Sequence, residues 1–126
     1  MIWKGAYMTR VLIVDDAAFI RMTLKRLLEQ NDFEVVGEAE NGKVALRKIK
    51  ELNPDIVTLD ITMPEMDGLE CLNEIKKLKE NPTVIIVSAM GQELNVQKAI
   101  MNGAKGFIVK PYKPEVVLKQ LGKFKK

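Results

Sequence analysis

The sequence has little cysteine, no long hydrophobic run and no low-complexity segment. The single cysteine, Cys71, cannot form a disulfide within the chain. No apolar run approaches the roughly 20 residues that a membrane-spanning helix needs. Residues 1–7 contain one lysine but no apolar core, which excludes a secretory signal. These absences predict a protein of the reducing cytoplasm, with no membrane among its partners.

What remains is the composition of one ordinary globular domain. The 126 residues leave little room for a second domain, and 47% of them are hydrophobic and 29% charged. We expect residues 9–126 to form the domain. Residues 1–8 would be an N-terminal extension or a remnant of cloning, and the natural start of the protein would be at Met8. The net charge is +3, but acids and bases interleave outside residues 119–126. That tail is typical of a solvated helix end, so nucleic acid is not the expected partner.

Five short apolar runs alternate with amphipathic stretches of helical spacing. Such alternation predicts right-handed βαβ units and a parallel sheet that is covered by helices on both faces. We therefore predict an α/β, doubly wound fold with five parallel strands. In this architecture the ligand site lies beyond the carboxyl ends of the strands. The predicted strands are centred on residues 11–14, 34–36, 56–59, 84–87 and 107–109.

Polar side chains of a particular kind stand at four of these strand ends. Asp15 and Asp16 follow the first run, Asp60 the third, Ser88 the fourth and Lys110 the fifth. A single acid after a strand is more often a helix cap than a catalyst. Five polar groups at equivalent places are harder to explain by structure alone. If these strands are neighbours, three carboxylates, a hydroxyl and an ammonium converge at one edge of the sheet.

The charges of this group favour a bound cation. Three carboxylates at close range repel one another, and one stays protonated unless positive charge is supplied. Lys110 supplies one charge, and Mg²⁺ suits a site of a few carboxylates, waters and a phosphate. An aspartate beside a metal and a lysine can attack a phosphoryl donor.

Two other doubly wound proteins fit the same residues less well. A flavin-binding flavodoxin needs a phosphate-cradling loop after the first strand, where this chain has two acids followed by two alanines. A phosphatase of the haloacid-dehalogenase type needs a second aspartate two residues after the first. That position is Thr62 here, so the general acid of such an enzyme is missing.

Four segments together resemble response-regulator receiver domains: residues 13–16, 59–68, 88–89 and 107–111. The resemblance runs from about residue 9 to residue 124. Residues 17–21 and 88–92 are similar to the chemotaxis, or CheY-type, members of this family. The resemblance implies a flavodoxin-like strand order of 2-1-3-4-5.

The resemblance also assigns roles around the acids. It implies that Asp60 is the phosphorylated aspartate. Asp16 and Asp60 would bind Mg²⁺ directly, and the backbone carbonyl of Thr62 would be a third ligand. Asp15 would orient a metal-bound water.

On the switch side, the resemblance implies that Ser88 hydrogen-bonds the phosphoryl oxygens and that Lys110 pairs with them. Phe107 would turn inward when Ser88 is drawn towards the phosphate. The Lys110–Pro111 peptide bond would be cis. The sequence itself leaves open whether Phe107 is a switch or an ordinary core residue.

The chain departs from the best-known chemotaxis pattern at two positions that flank the line of water attack. These are Thr62, where an amide is usual, and Met90, where an acid is usual. We hypothesise that loss of the phosphoryl group is governed differently here.

As implied by the resemblance, the chain is a monomeric signalling switch and not an enzyme, apart from its own phosphotransfer and autodephosphorylation. A CheA-like histidine kinase would be the donor, the flagellar motor switch the target, and a phosphatase a further partner. Two alternatives stay open. One is a phosphorelay intermediate, and the other is the receiver fragment of a DNA-binding response regulator.

Overall fold

A computed structural model describes residues 8–63 and 66–126. The expected N-terminal extension therefore lies, except for Met8, outside the described residues. In the described part, strands and helices alternate five times, as the apolar pattern predicted. The strands are β1 (Thr9–Val14), β2 (Phe33–Ala39), β3 (Ile56–Asp60), β4 (Thr83–Ala89) and β5 (Gly106–Lys110). The helices are α1 (Ala18–Glu29), α2 (Gly42–Leu52), α3 (Gly68–Lys76), α4 (Glu93–Met101) and α5 (Pro114–Gly122).

The strands form one parallel sheet in the order β2-β1-β3-β4-β5. This confirms the predicted doubly wound α/β class and the strand order that the resemblance implied. β3 lies at the centre, and all five of its residues are buried. The chain order reverses direction across the sheet between β1 and β3, which leaves a crevice at their carboxyl ends.

Two apolar layers sandwich the sheet because successive side chains of a strand point to opposite faces. In β1, Leu12 and Val14 pack with the layer under α2, α3 and α4. Val11 and Ile13 pack with the layer under α1 and α5. Each of these four side chains is at most 1% exposed. Burial of such a side chain contributes about 1.5–3 kcal/mol, so β1 anchors both layers.

The helix ends follow from local chemistry. The Asp67 side chain accepts a hydrogen bond from the backbone N–H of Glu70 (2.9 Å) and caps α3. Pro114 is the first residue of α5, where its missing N–H costs nothing. α3 ends at Lys76, and Leu78, which continues the apolar spacing of the helix, lies in the following turn.

The expectation that helices cover the sheet on both faces is wrong at β5. Ile108 is buried, but Phe107 and Val109 on the opposite face are 45% and 37% exposed. β5 is the edge strand, and α4 does not cover this side of it. Within the described ranges, no helix combines the length and apolar character that crossing a membrane requires.

Candidate functional site

Three acids meet where β1 and β3 end. Val14 is in register with Leu59, so the residues that follow them, Asp15 and Asp60, come side by side. Asp15, Asp16 and Asp60 each offer a carboxylate oxygen, and these oxygens lie within 4.8 Å of one another. Asp15 and Asp60 are buried, whereas Asp16 is exposed. The structure thus brings together the carboxylates that the strand ends predicted.

Lys110 reaches this group from the end of β5. Its ammonium nitrogen lies 2.8 Å from Asp15 Oδ2 and 3.4 Å from Asp60 Oδ2. The lysine side chain is 25% exposed and its two partners are 5% and 7% exposed. The peptide bond to Pro111 is cis, as the resemblance implied. One cation therefore serves two buried carboxylates.

Burial and neighbouring charges shift the pKa values of Asp60 and Lys110. Burial and the neighbouring charge of Asp15 raise the pKa of Asp60, although Lys110 and the Thr62 N–H act in the opposite direction. Burial alone would lower the pKa of Lys110. Its hydrogen bond to Asp15 and the charges of Asp60 and Asp15 outweigh that effect and raise it. The site therefore favours additional positive charge.

The donor set fits a magnesium ion. Mg²⁺ prefers a few carboxylate oxygens together with waters, and the three carboxylate oxygens within 4.8 Å of one another are a donor set of that kind. The exposed Asp16 leaves a side open for water and substrate oxygens. The arrangement can hold a hard divalent cation next to the Asp60 carboxylate.

Asp15 is fixed by contacts from three directions. Its N–H donates to the carbonyl of Ala39 (3.0 Å), and its Oδ1 accepts from the N–H of Ala17 (2.9 Å). Arg21, one turn into α1, donates to the Asp15 carbonyl (2.6 Å) and pairs with Glu38 of β2 (3.1 Å). Sequence reasoning missed Arg21, because a basic residue on an amphipathic helix gives no sign that it folds back onto the preceding loop.

The loop after β3 approaches the start of α3 closely. The N–H of Thr62 donates to Asp60 Oδ1 (3.0 Å) and holds that carboxylate in place. The N–H of Gly68 donates to the carbonyl of Ile61 (2.7 Å). A Cβ on Gly68 would lie 2.4 Å from the carbonyl oxygen of Asp60, so this position requires glycine. The sequence block containing Gly68 was noted, but its packing role was not predicted.

Ser88 lies one residue beyond Val87, which pairs with Asp60 across the sheet. Ser88 is 1% exposed, and its hydroxyl has no hydrogen-bond partner among the residues that the structure describes. A buried hydroxyl without a partner costs about 1–3 kcal/mol. It is therefore a group with an unused capacity to donate near the Asp60 carboxylate.

An apolar groove opens beside Ser88, between α4 and β5. Its volume is about 520 Å³, and among its lining residues are Met90, Ile100, Met101, Phe107 and Val109. The outward position of Phe107 shows that the alternative of an ordinary core residue is wrong for this structure. Met90 and Met101 are 75% and 86% exposed. We call this feature the apolar groove.

Gln92 connects the two loops above the site. Its Oε1 accepts from the N–H of Ala89 (2.7 Å), and its Nε2 donates to the hydroxyl of Thr62 (2.5 Å). Sequence reasoning did not single out this residue, because contacts between loops of different βα units leave no periodic signal.

Cys71 of α3 is fully buried, and burial raises the pKa of its thiol to about 12. At neutral pH it is a protonated apolar residue and not a nucleophile.

Comparisons with known proteins agree with this geometry. The family model described as the response regulator receiver domain matches residues 11–122. The chemotaxis protein CheY of Thermotoga maritima is 56% identical over 93% of this chain and 98% of its own. The CheY of Bacillus subtilis is also 56% identical, over 90% of this chain and 95% of its own. Among solved structures, the CheX–CheY–BeF₃–Mg²⁺ complex of Borrelia burgdorferi has a chain with TM-score 0.86 and 38% identity, covering 96% of this chain and 97% of that one.

Proposed function

The chain belongs to the response regulator receiver domain family, and we propose from this premise that it is a phosphorylation-dependent switch of a two-component system, acting in the cytoplasm. Asp60 accepts a phosphoryl group from a CheA-like histidine kinase, with Mg²⁺ held directly by Asp16, Asp60 and the backbone carbonyl of Thr62 and, through a water, by Asp15. The observation that carries the proposal is the group of three carboxylates with Lys110 at the carboxyl edge of the sheet.

The transfer is a displacement at phosphorus. A carboxylate oxygen of Asp60 forms a bond to phosphorus while the phosphorus–nitrogen bond of a phosphohistidine breaks, and the leaving imidazole keeps the electron pair. The Thr62 N–H holds one Asp60 oxygen, so the other is the one that attacks. Lys110, already 3.4 Å from that carboxylate, balances charge on the transferred oxygens. When bound, Mg²⁺ supplies the remaining positive charge.

The switch follows from charge and unused hydrogen-bonding capacity. The phosphoryl group carries about −1.5 to −2 charge in place of the single charge of the free Asp60 carboxylate, so the net gain is about one negative charge, and it brings three acceptor oxygens beside Ser88 and Lys110. Drawing Ser88 towards those oxygens changes the wall of the apolar groove, in which Phe107 now points outward. A partner that binds the changed groove reads the phosphorylated state and, by linkage, favours it.

The flagellar motor switch is the proposed reader of this groove, with a histidine kinase upstream and a phosphatase to reset the signal. In this proposal the chain acts as a monomeric signalling protein and not as an enzyme, apart from its own phosphotransfer and autodephosphorylation. Nucleic acid is a poor alternative. Lys126 of the basic tail pairs with Asp55 (2.8 Å), and Lys125 donates to the carbonyl of Asn31 (3.1 Å).

The phosphoacceptor is tested by intact mass after incubation with Mg²⁺ and acetyl phosphate. We expect a gain of one phosphoryl group in wild type and none in Asp60→Asn or with a chelator. Asp55→Asn, at the other end of the same strand, is the matched control and keeps the gain. A folded, Mg²⁺-binding wild type that gains no mass would contradict the proposed chemistry.

The partner is tested separately, by binding of purified motor switch protein with and without beryllofluoride. We expect binding that depends on beryllofluoride and is lost in Phe107→Ala. No binding, together with transfer of the phosphoryl group to a histidine phosphotransfer protein, would favour the phosphorelay alternative. Natural continuation of the chain into a DNA-binding domain would favour the transcription-factor alternative.

A further inference from the structure

The Gln92 side chain joins the two loops that flank the phosphoacceptor. Its carbonyl oxygen holds the Ala89 N–H, directly after Ser88 in the chain, and its amide nitrogen holds the Thr62 hydroxyl. The Thr62 N–H in turn donates to Asp60. A continuous series of contacts therefore runs from the loop after β4 to the reacting carboxylate.

The local sequence explains why a glutamine can make this bridge. Gly91 has φ +88°, a conformation that suits the third position of a tight turn and that other residues adopt at a cost. The turn brings Gln92 back beneath Ala89. Gln92 also stands at the N-cap of α4, yet its side chain makes no capping hydrogen bond there. The amide is used for the bridge instead of for the helix end.

The Gln92 bridge and the proposed switch require different positions of the loop after β4. A phosphoryl group on Asp60 draws Ser88 towards it, and the backbone of Ala89 is covalently attached to Ser88. While Gln92 holds both Ala89 and Thr62, the spacing between the two loops is fixed. We propose that the Gln92 bridge is a latch: it stabilises the unphosphorylated arrangement of the two loops and is released when Ser88 moves. This inference rests on the proposed function and makes Gln92 a positioning residue of the switch.

Removing the latch should therefore favour the switched state. One hydrogen bond between loops corresponds to about fivefold in an equilibrium constant. Because Gln92 is only half-buried, we expect a smaller gain, about threefold in affinity for a phosphoryl mimic. The affinity of the resting chain for Mg²⁺ should change little, since Gln92 contacts the side chain of Thr62 and none of the proposed metal-binding atoms.

The test is titration of the Mg²⁺-saturated chain with beryllofluoride, followed by ¹⁹F NMR of the bound species. Gln92→Met keeps the length of the side chain and removes both hydrogen bonds, and Gln92→Ala removes the side chain as well. Gln30→Met, at an exposed position directly after α1 and away from the groove, is the matched control. Thr62→Val should add nothing in the Gln92→Met background, because both changes break the same bridge.

Tighter beryllofluoride binding in both Gln92 variants, with little change in Mg²⁺ affinity and none in the Gln30 control, supports the latch. A residue that only stabilises the fold would lower the melting temperature without tightening that binding. Unchanged or weaker binding in the folded Gln92 variants overturns the latch and leaves the proposed function standing. Failure of wild type itself to bind beryllofluoride with Mg²⁺ overturns both.

Discussion

The Gly68→Ala substitution tests whether α3 lies too close to the loop after β3 to allow any side chain at position 68. Helix propensity alone favours alanine over glycine by about 1 kcal/mol. The position has no room for it, however. A Cβ there would lie 2.4 Å from the Asp60 carbonyl oxygen and 2.5 Å from the Cα of Ile61. Ordinary contacts are about 3.5 Å, so the backbone would have to move by about 1 Å.

That movement has two costs. Overpacking of a buried position costs about 1–3 kcal/mol. The hydrogen bond from the Gly68 N–H to the Ile61 carbonyl, now 2.7 Å, would also be stretched. We expect a net loss of about 2 kcal/mol, or roughly 8 °C in melting temperature for a domain of this size. Mg²⁺ affinity should fall as well, because the displaced backbone carries Asp60.

Gly122→Ala is the matched control. Gly122 ends α5, and nothing lies within 4 Å of an added Cβ. Alanine should stabilise the chain there by about 0.5 kcal/mol, through helix propensity alone. Thermal unfolding by circular dichroism in metal-free buffer measures both variants. If both raised the melting temperature, steric limitation at Gly68 would be refuted.

Further substitutions address charge, burial and phosphoryl loss. Burial and the neighbouring carboxylate raise the pKa of Asp60, so its ionised form destabilises the chain as pH rises above the ordinary value of 3.8. Asp60→Asn should therefore raise the metal-free melting temperature by a few degrees at pH 7, a gain that disappears below that value. The thiol of Cys71, with a pKa raised to about 12, has a thiolate fraction at pH 8 roughly a thousandfold below that of an ordinary thiol. It should react with Ellman's reagent only after unfolding, and fast reaction of the native chain would contradict its burial. Arg21→Gln removes the contact to the loop of the acid pair and should cost about 2 kcal/mol in urea unfolding; an unchanged midpoint would show that the contact is replaced by water. Thr62→Asn combined with Met90→Glu should change the rate at which the chain loses its phosphoryl group. Identical rates in the variant and the wild type would contradict the hypothesis that these two positions control that loss.

The fold could be predicted because its apolar pattern is local. Continuous runs such as residues 56–59 and 84–87 are buried on both faces, and the predicted central strands are found there. The pattern failed where burial depends on distant elements. Phe107 and Val109 belong to an apolar run that is typical of a strand covered on both faces, yet β5 is at the edge and α4 leaves that face open. The sequence of β5 alone does not say which helix covers it.

The residues of the site likewise divide into those that local sequence predicts and those that depend on distant contacts. Asp15, Asp60 and Lys110 could be predicted as neighbours because each ends a strand of one parallel sheet, and parallel strands end at one edge. Arg21 and Gln92 could not, because their roles depend on side chains that cross between loops. Only the distances identify such contacts.

Two local costs at the site have a common explanation in the proposed chemistry. The Ser88 hydroxyl is buried without a partner among the described residues, and Asp60 carries a raised pKa. Either could be relieved by a small substitution, so packing does not account for them. Phosphorylation changes both at once: the phosphoryl oxygens accept from Ser88, and the charge of the buried Asp60 carboxylate moves onto oxygens that Lys110 and a bound cation can balance. In the unphosphorylated state, Ser88 and Asp60 therefore each carry a small free-energy cost that phosphorylation would remove. The free energy gained in this way is available to break the Gln92 bridge and rearrange the apolar groove.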